Sequence, residues 1–117
     1  MTQILIADDH PLFRLALTQA LRAIAPDAAL IEADSLAAAR AQLDARPDVD
    51  LVLLDLHLPD SHGLMALAEL RAEHPAVAVV MISANEDPAV IRRALAFGAA
   101  GYIPKGASLD ELAVALR

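Results

Sequence analysis

Short apolar runs that end in acidic residues constrain the fold of this chain most strongly. An apolar run at residues 4–7 is followed by Asp8 and Asp9, and a second run at 51–54 is followed by Asp55. Uninterrupted apolar runs of this kind are typical of strands that are buried on both faces of a parallel sheet. In such sheets, ligands bind beyond the carboxyl ends of the strands, where the strand order reverses. The sequence therefore predicts one negative pocket, which a hard divalent cation would neutralise.

Apolar runs alternate with segments of helical periodicity along the chain, which predicts repeated βα units. Capping residues at Ser35, Asp87 and Ser108 mark helix starts, and Gly98 stands where a helix would end. Right-handed crossovers and one reversal point predict an α/β fold, a doubly wound parallel sheet of five strands in the order 2-1-3-4-5 with five helices. The predicted strands are 3–7, 29–33, 49–54, 77–82 and 101–103, and the helices begin near residues 11, 35, 64, 88 and 108.

Composition limits the roles that the chain can have. Its 117 residues predict one domain, and a hydrophobic content of 57% is ample for a core. No apolar stretch is long enough to cross a bilayer, and the first residues lack the features of a signal peptide, so we expect a cytoplasmic location and no membrane partner. The absence of cysteine excludes a disulfide framework. A net charge of −7 and an aromatic content of 3% argue against direct contact of this domain with DNA.

Two further groups at strand ends complement the acids. Ser83 follows the fourth predicted strand, and Lys105 lies just beyond the fifth. A hydroxyl and an ammonium group that face carboxylates and a cation suit the oxygens of a phosphoryl group. Taken alone, each acid is as typical of a helix cap as of a ligand, Ser83 is typical of a hydroxyl that bonds the local backbone, and Lys105 of a solvated surface charge. Their common position at strand ends favours a site. Mg²⁺ is the expected ion, with Mn²⁺ as a substitute, because both accept oxygen ligands.

The expected ligands of the cation are oxygens from two strand ends. We expect Asp9 and Asp55 to bind the cation directly and Asp8 to bind it through water. The backbone carbonyl of His57, two residues after Asp55, would supply another oxygen. None of the four histidines stands at a recognised metal spacing, although His10 and His57 lie near the predicted pocket.

These motifs resemble the receiver domain of bacterial two-component response regulators, over essentially the whole chain. The receiver fold is flavodoxin-like, which agrees with the predicted sheet. The segment Ile-Ala-Asp-Asp-His-Pro-Leu-Phe-Arg at 6–14 is similar to the NarL/FixJ subfamily. Its members usually carry a LuxR-type helix-turn-helix DNA-binding domain after the receiver, so a single receiver domain at 1–117 implies the first part of a longer regulator. The residues that carry the resemblance are Asp8-Asp9, Asp55, the Leu-Pro-Asp-x-x-Gly turn at 58–63, Ser83-Ala84, Tyr102 and Lys105.

The resemblance implies a phosphorylation-activated signalling switch, with no enzymatic activity beyond its own phosphorylation and slow autodephosphorylation. Asp55 would accept the phosphoryl group from a sensor histidine kinase, while Lys105 and Ser83 contact the phosphoryl oxygens. Tyr102 would turn inward when Ser83 moves toward the phosphoryl group. The resemblance also implies a phosphorylation-dependent homodimer, control of transcription, and contact with DNA through the C-terminal domain only.

Three other functions stay open at this point. A haloacid-dehalogenase-type phosphatase also uses an aspartyl nucleophile and Mg²⁺, but it needs a second acid where His57 stands. A flavodoxin-like FMN carrier needs a phosphate-binding loop after the first strand, where Asp8 and Asp9 would repel phosphate. A pseudo-receiver or stand-alone receiver would act only as a protein-binding module, and retention of the site residues argues against it. One departure from the family is Gly106, which follows Lys105 where a proline is common, so we expect a trans bond there.

Overall fold

Five strands alternate with five helices, as the apolar and helical periodicities predict. The computed structural model describes residues 2–61 and 64–116, so His62 and Gly63 of the predicted 58–63 turn lie outside the described residues. The strands are β1 (Gln3–Ala7), β2 (Ala29–Ala33), β3 (Leu51–Asp55), β4 (Ala78–Ser83) and β5 (Gly101–Pro104). The helices are α1 (Pro11–Ile24), α2 (Leu36–Ala45), α3 (Met65–Glu73), α4 (Pro88–Ala96) and α5 (Leu109–Ala115).

The strands form one parallel sheet in the order β2-β1-β3-β4-β5, which confirms the predicted topology. β1 and β3 are neighbours, and the register pairs Ala7 with Leu54. Helices α2, α3 and α4 pack on one face of the sheet, and α1 and α5 pack on the other. Both faces of the central strands are therefore buried, which explains why their sequences are apolar without alternation.

The third strand begins and ends later than its predicted span of 49–54. The Val49 N–H donates to the Arg46 carbonyl in the turn that closes α2, and pairing with β1 begins only at Leu51. At the other end, Asp55 is still in register with Ile82 of β4. The backbone of Asp55 is therefore held by the sheet rather than by a loop.

The last two strands and α3 also differ slightly from their predicted bounds. β4 is shifted by one residue and ends at Ser83, which is in register with Pro104, so β5 extends one residue further than predicted. α3 begins at Met65, and Leu64 is its N-cap. These shifts place Ser83, like Asp55, on the last rigid position of a strand.

Most helix ends follow the predicted caps. The side chains of Ser35, Asp87 and Ser108 each accept a backbone N–H from the first turn of the following helix. Gly98 has a φ of 101° directly after α4, a conformation that favours glycine. The Lys105–Gly106 bond is trans, as expected. Within 2–61 and 64–116, no helix has the length and apolar character that crossing a membrane requires.

Candidate functional site

The predicted site residues meet at the carboxyl edge of the sheet. Asp8 directly follows β1, and its N–H donates to the Ala33 carbonyl at the end of β2. Asp55 is the last residue of β3, and Ser83 is the last residue of β4. The Lys105 N–H donates to the Ser83 carbonyl at 2.9 Å, which ties the segment after β5 to the end of β4. Backbone hydrogen bonds at the edge of the sheet therefore fix the positions of these residues independently of side-chain contacts.

Two of the acids are deeply buried. Asp8 and Asp55 are each 1% exposed, whereas the Asp9 side chain retains about a third of its exposure. Burying carboxylates is costly unless they are paired, because a charged group loses its hydration. Two buried acids next to each other therefore need a positive partner.

Lys105 supplies one such partner. Its Nζ lies 3.3 Å from Asp8 Oδ2 and 3.3 Å from Asp55 Oδ2. The same ammonium group lies 4.8 Å from the centre of the Phe13 ring, which adds a cation–π contact. With its side chain 17% exposed, Lys105 is not a solvated surface lysine. One ammonium group still leaves the set of three carboxylates net negative.

His10 was predicted to lie near the pocket, and its imidazole contacts all three acids there. Its Nδ1 is 3.0 Å from Asp8 Oδ1, 3.2 Å from Asp9 Oδ1 and 3.4 Å from Asp55 Oδ2. His10 is the N-cap of α1 with extended backbone angles, φ −98° and ψ 101°. The His10 N–H donates to Asp8 Oδ1 at 2.8 Å, which holds the residue next to the acidic pair. The adjacency of His10 to Asp8 and Asp9 was the only sequence signal for this position.

The pocket fits a divalent cation. Asp8, Asp9, His10 and Asp55 each offer a ligand atom, and these atoms lie within 4.8 Å of one another. Asp8 Oδ2 and Asp9 Oδ1 are buried and have no hydrogen-bond partner in the part of the chain that the structure describes. Buried oxygens without a donor are the positions where a bound cation would compensate the lost hydration.

An open cavity lies above the acids. It has a volume of about 340 Å³ and is lined by both acidic and basic groups, together with the small Ala84. This space is large enough for a phosphoryl group to approach Asp55 from solvent. The lining residues are His10, Phe13, Asp55, His57, Ala84 and Lys105.

His57, Ser83 and Tyr102 occupy the surroundings of the pocket. The His57 N–H donates to Asp55 Oδ1 at 3.2 Å, and the predicted role of its carbonyl stays a prediction. The Ser83 hydroxyl is fully buried and accepts the Asn85 N–H at 2.9 Å. The Tyr102 hydroxyl donates to the Asn85 carbonyl at 2.6 Å. The backbone N–H and carbonyl of Asn85 thus connect Ser83 to Tyr102.

Asp60, in the loop after β3, caps a neighbouring helix. Its two carboxylate oxygens accept the N–H groups of Leu36 at 2.7 Å and Ala37 at 2.9 Å, in the first turn of α2. The Leu36 N–H and then the Ala37 N–H lower the pKa of the Asp60 carboxyl from its ordinary value of 3.8. Because α2 has no acid in its own first turn, Asp60 supplies the anion that the helix dipole favours. The loop that follows Asp55 is thereby fastened to α2.

Replacing Asp60 with asparagine is expected to lower the free energy of unfolding by about 0.5 kcal/mol at neutral pH, because the exposed helix cap loses the charge that the helix dipole favours. The folded-state pKa lies below 3.8, so this contribution is complete above that value and is lost as pH falls below it. Urea denaturation of both proteins at neutral pH and at about pH 3 measures this change. The exposed Asp27→Asn variant is the matched control. An undiminished difference at the lower pH would contradict the cap's dependence on charge.

Comparison with known proteins shows one consistent set of relatives. Residues 4–117 match the family described as the response regulator receiver domain. The glycerol metabolism activator of Pseudomonas putida is 40% identical over 116 residues, which cover 99% of this chain and 52% of that protein. The probable transcriptional regulatory protein NarL of Mycobacterium tuberculosis is 36% identical over 115 residues, which cover 97% of this chain and 52% of that protein. The chain thus spans about half the length of these curated relatives.

Solved structures agree with the sequence relatives. The signal receiver domain of the putative response regulator NarL from Mycobacterium tuberculosis superimposes with a TM-score of 0.85 at 34% identity, covering 98% of this chain and 92% of that chain. A DNA-binding response regulator of the LuxR family from Staphylococcus aureus superimposes with a TM-score of 0.86 at 25% identity, covering 99% of this chain and 96% of that chain. The fold and the sequence therefore point to the same relatives.

Proposed function

The chain belongs to the family of response regulator receiver domains, and from this premise we propose that Asp55 is the residue that accepts the phosphoryl group. The observation that carries the proposal is the position of Asp55. Its carboxylate is buried at the end of β3, faces the open cavity, and lies 3.3 Å from Lys105 Nζ. No other group lining that cavity combines a carboxylate nucleophile with an adjacent cation.

In the proposed transfer, a carboxylate oxygen of Asp55 attacks the phosphorus of a phosphohistidine. The phosphorus–nitrogen bond breaks, its electron pair stays on the imidazole nitrogen, and an acyl phosphate forms on Asp55. Lys105 would orient the phosphoryl oxygens and offset their charge, and the Ser83 hydroxyl would donate to one of them. Catalysis of this kind depends mainly on positioning and electrostatic stabilisation. Water would later hydrolyse the acyl phosphate slowly, so the chain turns over no separate substrate.

A divalent cation, when bound, would offset the negative charge of the acids and of the phosphoryl group. Asp9 and Asp55 would hold it directly, Asp8 would hold it through water, and the His57 carbonyl would complete the oxygen ligands. The buried oxygens without hydrogen-bond partners support this assignment. Mg²⁺ is the expected ion in this role, and Mn²⁺ is its substitute.

The test of this function is the intact mass of the protein after incubation with acetyl phosphate and Mg²⁺. We expect a single phosphoryl adduct, and none when the cation is chelated. An adduct that hydroxylamine removes would identify an acyl phosphate rather than a phosphoserine. If no adduct forms with acetyl phosphate or with a phosphorylated sensor histidine kinase, the chain is a pseudo-receiver that acts by binding proteins.

Ser83 and Tyr102 form the proposed switch. If Ser83 moves to donate to the phosphoryl group, the hydrogen bond that it accepts from the Asn85 N–H changes. The position of the Asn85 carbonyl, which accepts the Tyr102 hydroxyl, then changes as well. The face formed by α4, β5 and α5 would then shift between two arrangements.

Fluorescence can measure this switch directly, because Tyr102 is the only tyrosine and the chain has no tryptophan. We expect beryllofluoride with Mg²⁺ to change the tyrosine emission of the wild type, and Mg²⁺ alone to change it less. In the Ser83→Ala variant the change should be lost, because the hydroxyl that couples the site to Tyr102 is absent. An equal change in that variant would show that Tyr102 does not respond through Ser83.

The proposed partners are a sensor histidine kinase and an output domain. The relatives include a DNA-binding response regulator and a transcriptional regulatory protein, which supports control of transcription. We propose that this control takes place in the cytoplasm and through a C-terminal DNA-binding domain. Leu12 and Leu15 on α1 are 83% and 53% exposed, and we propose them as part of the kinase-docking surface. A homodimer formed on phosphorylation is the proposed active state.

A further inference from the structure

We propose that Nδ1 of His10 is a direct ligand of the divalent cation, so that this pocket binds first-row transition ions more tightly than Mg²⁺. The inference rests on the cation site of the proposed function and adds a nitrogen ligand to it. Imidazole is a ligand that suits transition ions, whereas Mg²⁺ prefers oxygen. His10 would therefore change which ion the pocket prefers.

The spacing of the donor atoms supports the proposal. His10 Nδ1 lies 3.0, 3.2 and 3.4 Å from carboxylate oxygens of Asp8, Asp9 and Asp55. Neighbouring ligand atoms of an octahedral ion with bonds of about 2.1 Å are separated by about 3 Å. The imidazole nitrogen thus stands where an adjacent ligand of such an ion would stand.

Charged groups of both signs surround Nδ1. Lys105 Nζ lies 2.9 Å from it and Asp8 Oδ1 lies 3.0 Å from it. Because Nδ1 has a single lone pair, the bound ion would replace Lys105 Nζ as the partner of Nδ1. Nζ would keep its contacts with Asp8 Oδ2 and Asp55 Oδ2, each at 3.3 Å.

An independent observation supports a ligand at this place. Asp8 is 1% exposed, and its Oδ2 has no hydrogen-bond partner among the described residues, although it faces Lys105. Asp9 Oδ1 is also buried and without a donor. The His10 side chain is 57% exposed at the mouth of the pocket, so an ion from solvent can reach both oxygens beside the ring.

The test compares Co²⁺ with Mg²⁺, because both are divalent and six-coordinate but only Co²⁺ favours imidazole. Calorimetry on the wild-type chain should show tighter binding of Co²⁺. His10→Ala should weaken Co²⁺ binding by about tenfold or more and Mg²⁺ binding by less than about threefold. His74→Ala is the matched control, because His74 contacts Asp44 in the last turn of α2 and not the pocket. Circular dichroism checks that each variant is folded.

Spectroscopy provides a direct readout of the bond. A histidine that is coordinated to paramagnetic Co²⁺ gives a strongly shifted ring proton signal, which should be present in wild type and His74→Ala and absent in His10→Ala. Unchanged Co²⁺ affinity in His10→Ala would overturn the proposal. An increase for both ions would also overturn it, because the imidazole would then be a competitor of the cation.

The Asp9→Asn variant separates this proposal from the proposed function. If the pocket holds a cation but His10 is not a ligand, Asp9→Asn loses both ions while His10→Ala behaves like wild type. If the wild-type chain binds neither ion, the cation site itself is wrong, and the ligand role of His10 is wrong with it.

Discussion

Replacing Asp55 with asparagine is expected to abolish the phosphoryl adduct that acetyl phosphate or a kinase forms with Mg²⁺ present. The amide has nearly the shape of the carboxylate and can still accept the His57 N–H, so the fold stays intact. It is not a nucleophile toward phosphorus, so no acyl phosphate can form. Intact mass spectrometry of the two proteins measures the result. An adduct of equal yield on the asparagine variant would place the acceptor elsewhere.

The same variant should be more stable than the wild type when no cation is bound. Asp8 and Asp55 are both buried and share one ammonium group, so neutralising one of them relieves repulsion between like charges. We expect a gain of about 1 kcal/mol in the free energy of unfolding, measured with urea and a chelator. Asp27→Asn, on the exposed surface, should change neither property. A variant that is more stable but cannot be phosphorylated would show that the buried carboxylate of Asp55 serves phosphorylation at a cost in stability.

Replacing Lys105 with alanine is expected to slow phosphorylation by about a hundredfold, the usual cost of losing one preorganised group that stabilises a transition state. Lys105 is the only lysine in the sequence, and its Nζ contacts both buried acids. The variant would leave the phosphoryl oxygens without their nearest cationic side chain. The time course of adduct formation with acetyl phosphate measures the rate.

Arg92→Ala serves as the matched control for Lys105→Ala, since it also removes one positive charge but from an exposed face of α4. Its rate should equal that of the wild type. A similar slowing in both variants would mean that overall charge, rather than the position of Lys105, determines the rate. A Lys105→Ala rate equal to that of the wild type would remove Lys105 from the site.

Residues at or just beyond strand ends could be predicted from the sequence, whereas the exact contacts of residues in turns could not. The carboxyl ends of parallel strands meet at one edge, so the positions of Asp8, Asp55 and Ser83 follow from strand order alone. His10 enters the pocket because of the backbone angles at the start of α1, which its residue type does not determine. Asp60 caps a helix that begins 24 residues earlier in the chain, and no local pattern indicates such a partner.

The small errors in strand bounds have a similar cause. Apolar residues such as Val49 continue beyond the paired region because turns under a helix are also buried. Conversely, Asp55 and Ser83 are polar and yet belong to strands, because the ladder extends to the edge where the chemistry occurs. Hydrophobicity therefore predicts burial correctly but predicts the ends of hydrogen-bonded pairing less accurately.

The strand order also determines how the protein can assemble while it is being synthesised. β1 lies between β2 and β3, so the first three strands can form a sheet before β4 and β5 are present. β4 then adds to the free edge of β3, and β5 adds to β4, so no strand must insert into a sheet that has already formed. A nascent chain can therefore fold outward from its N-terminal half. The N-terminal half contains Asp8, Asp9 and Asp55, so these acids leave the ribosome long before Lys105. The acidic edge of the sheet therefore lacks its lysine until the last strand docks.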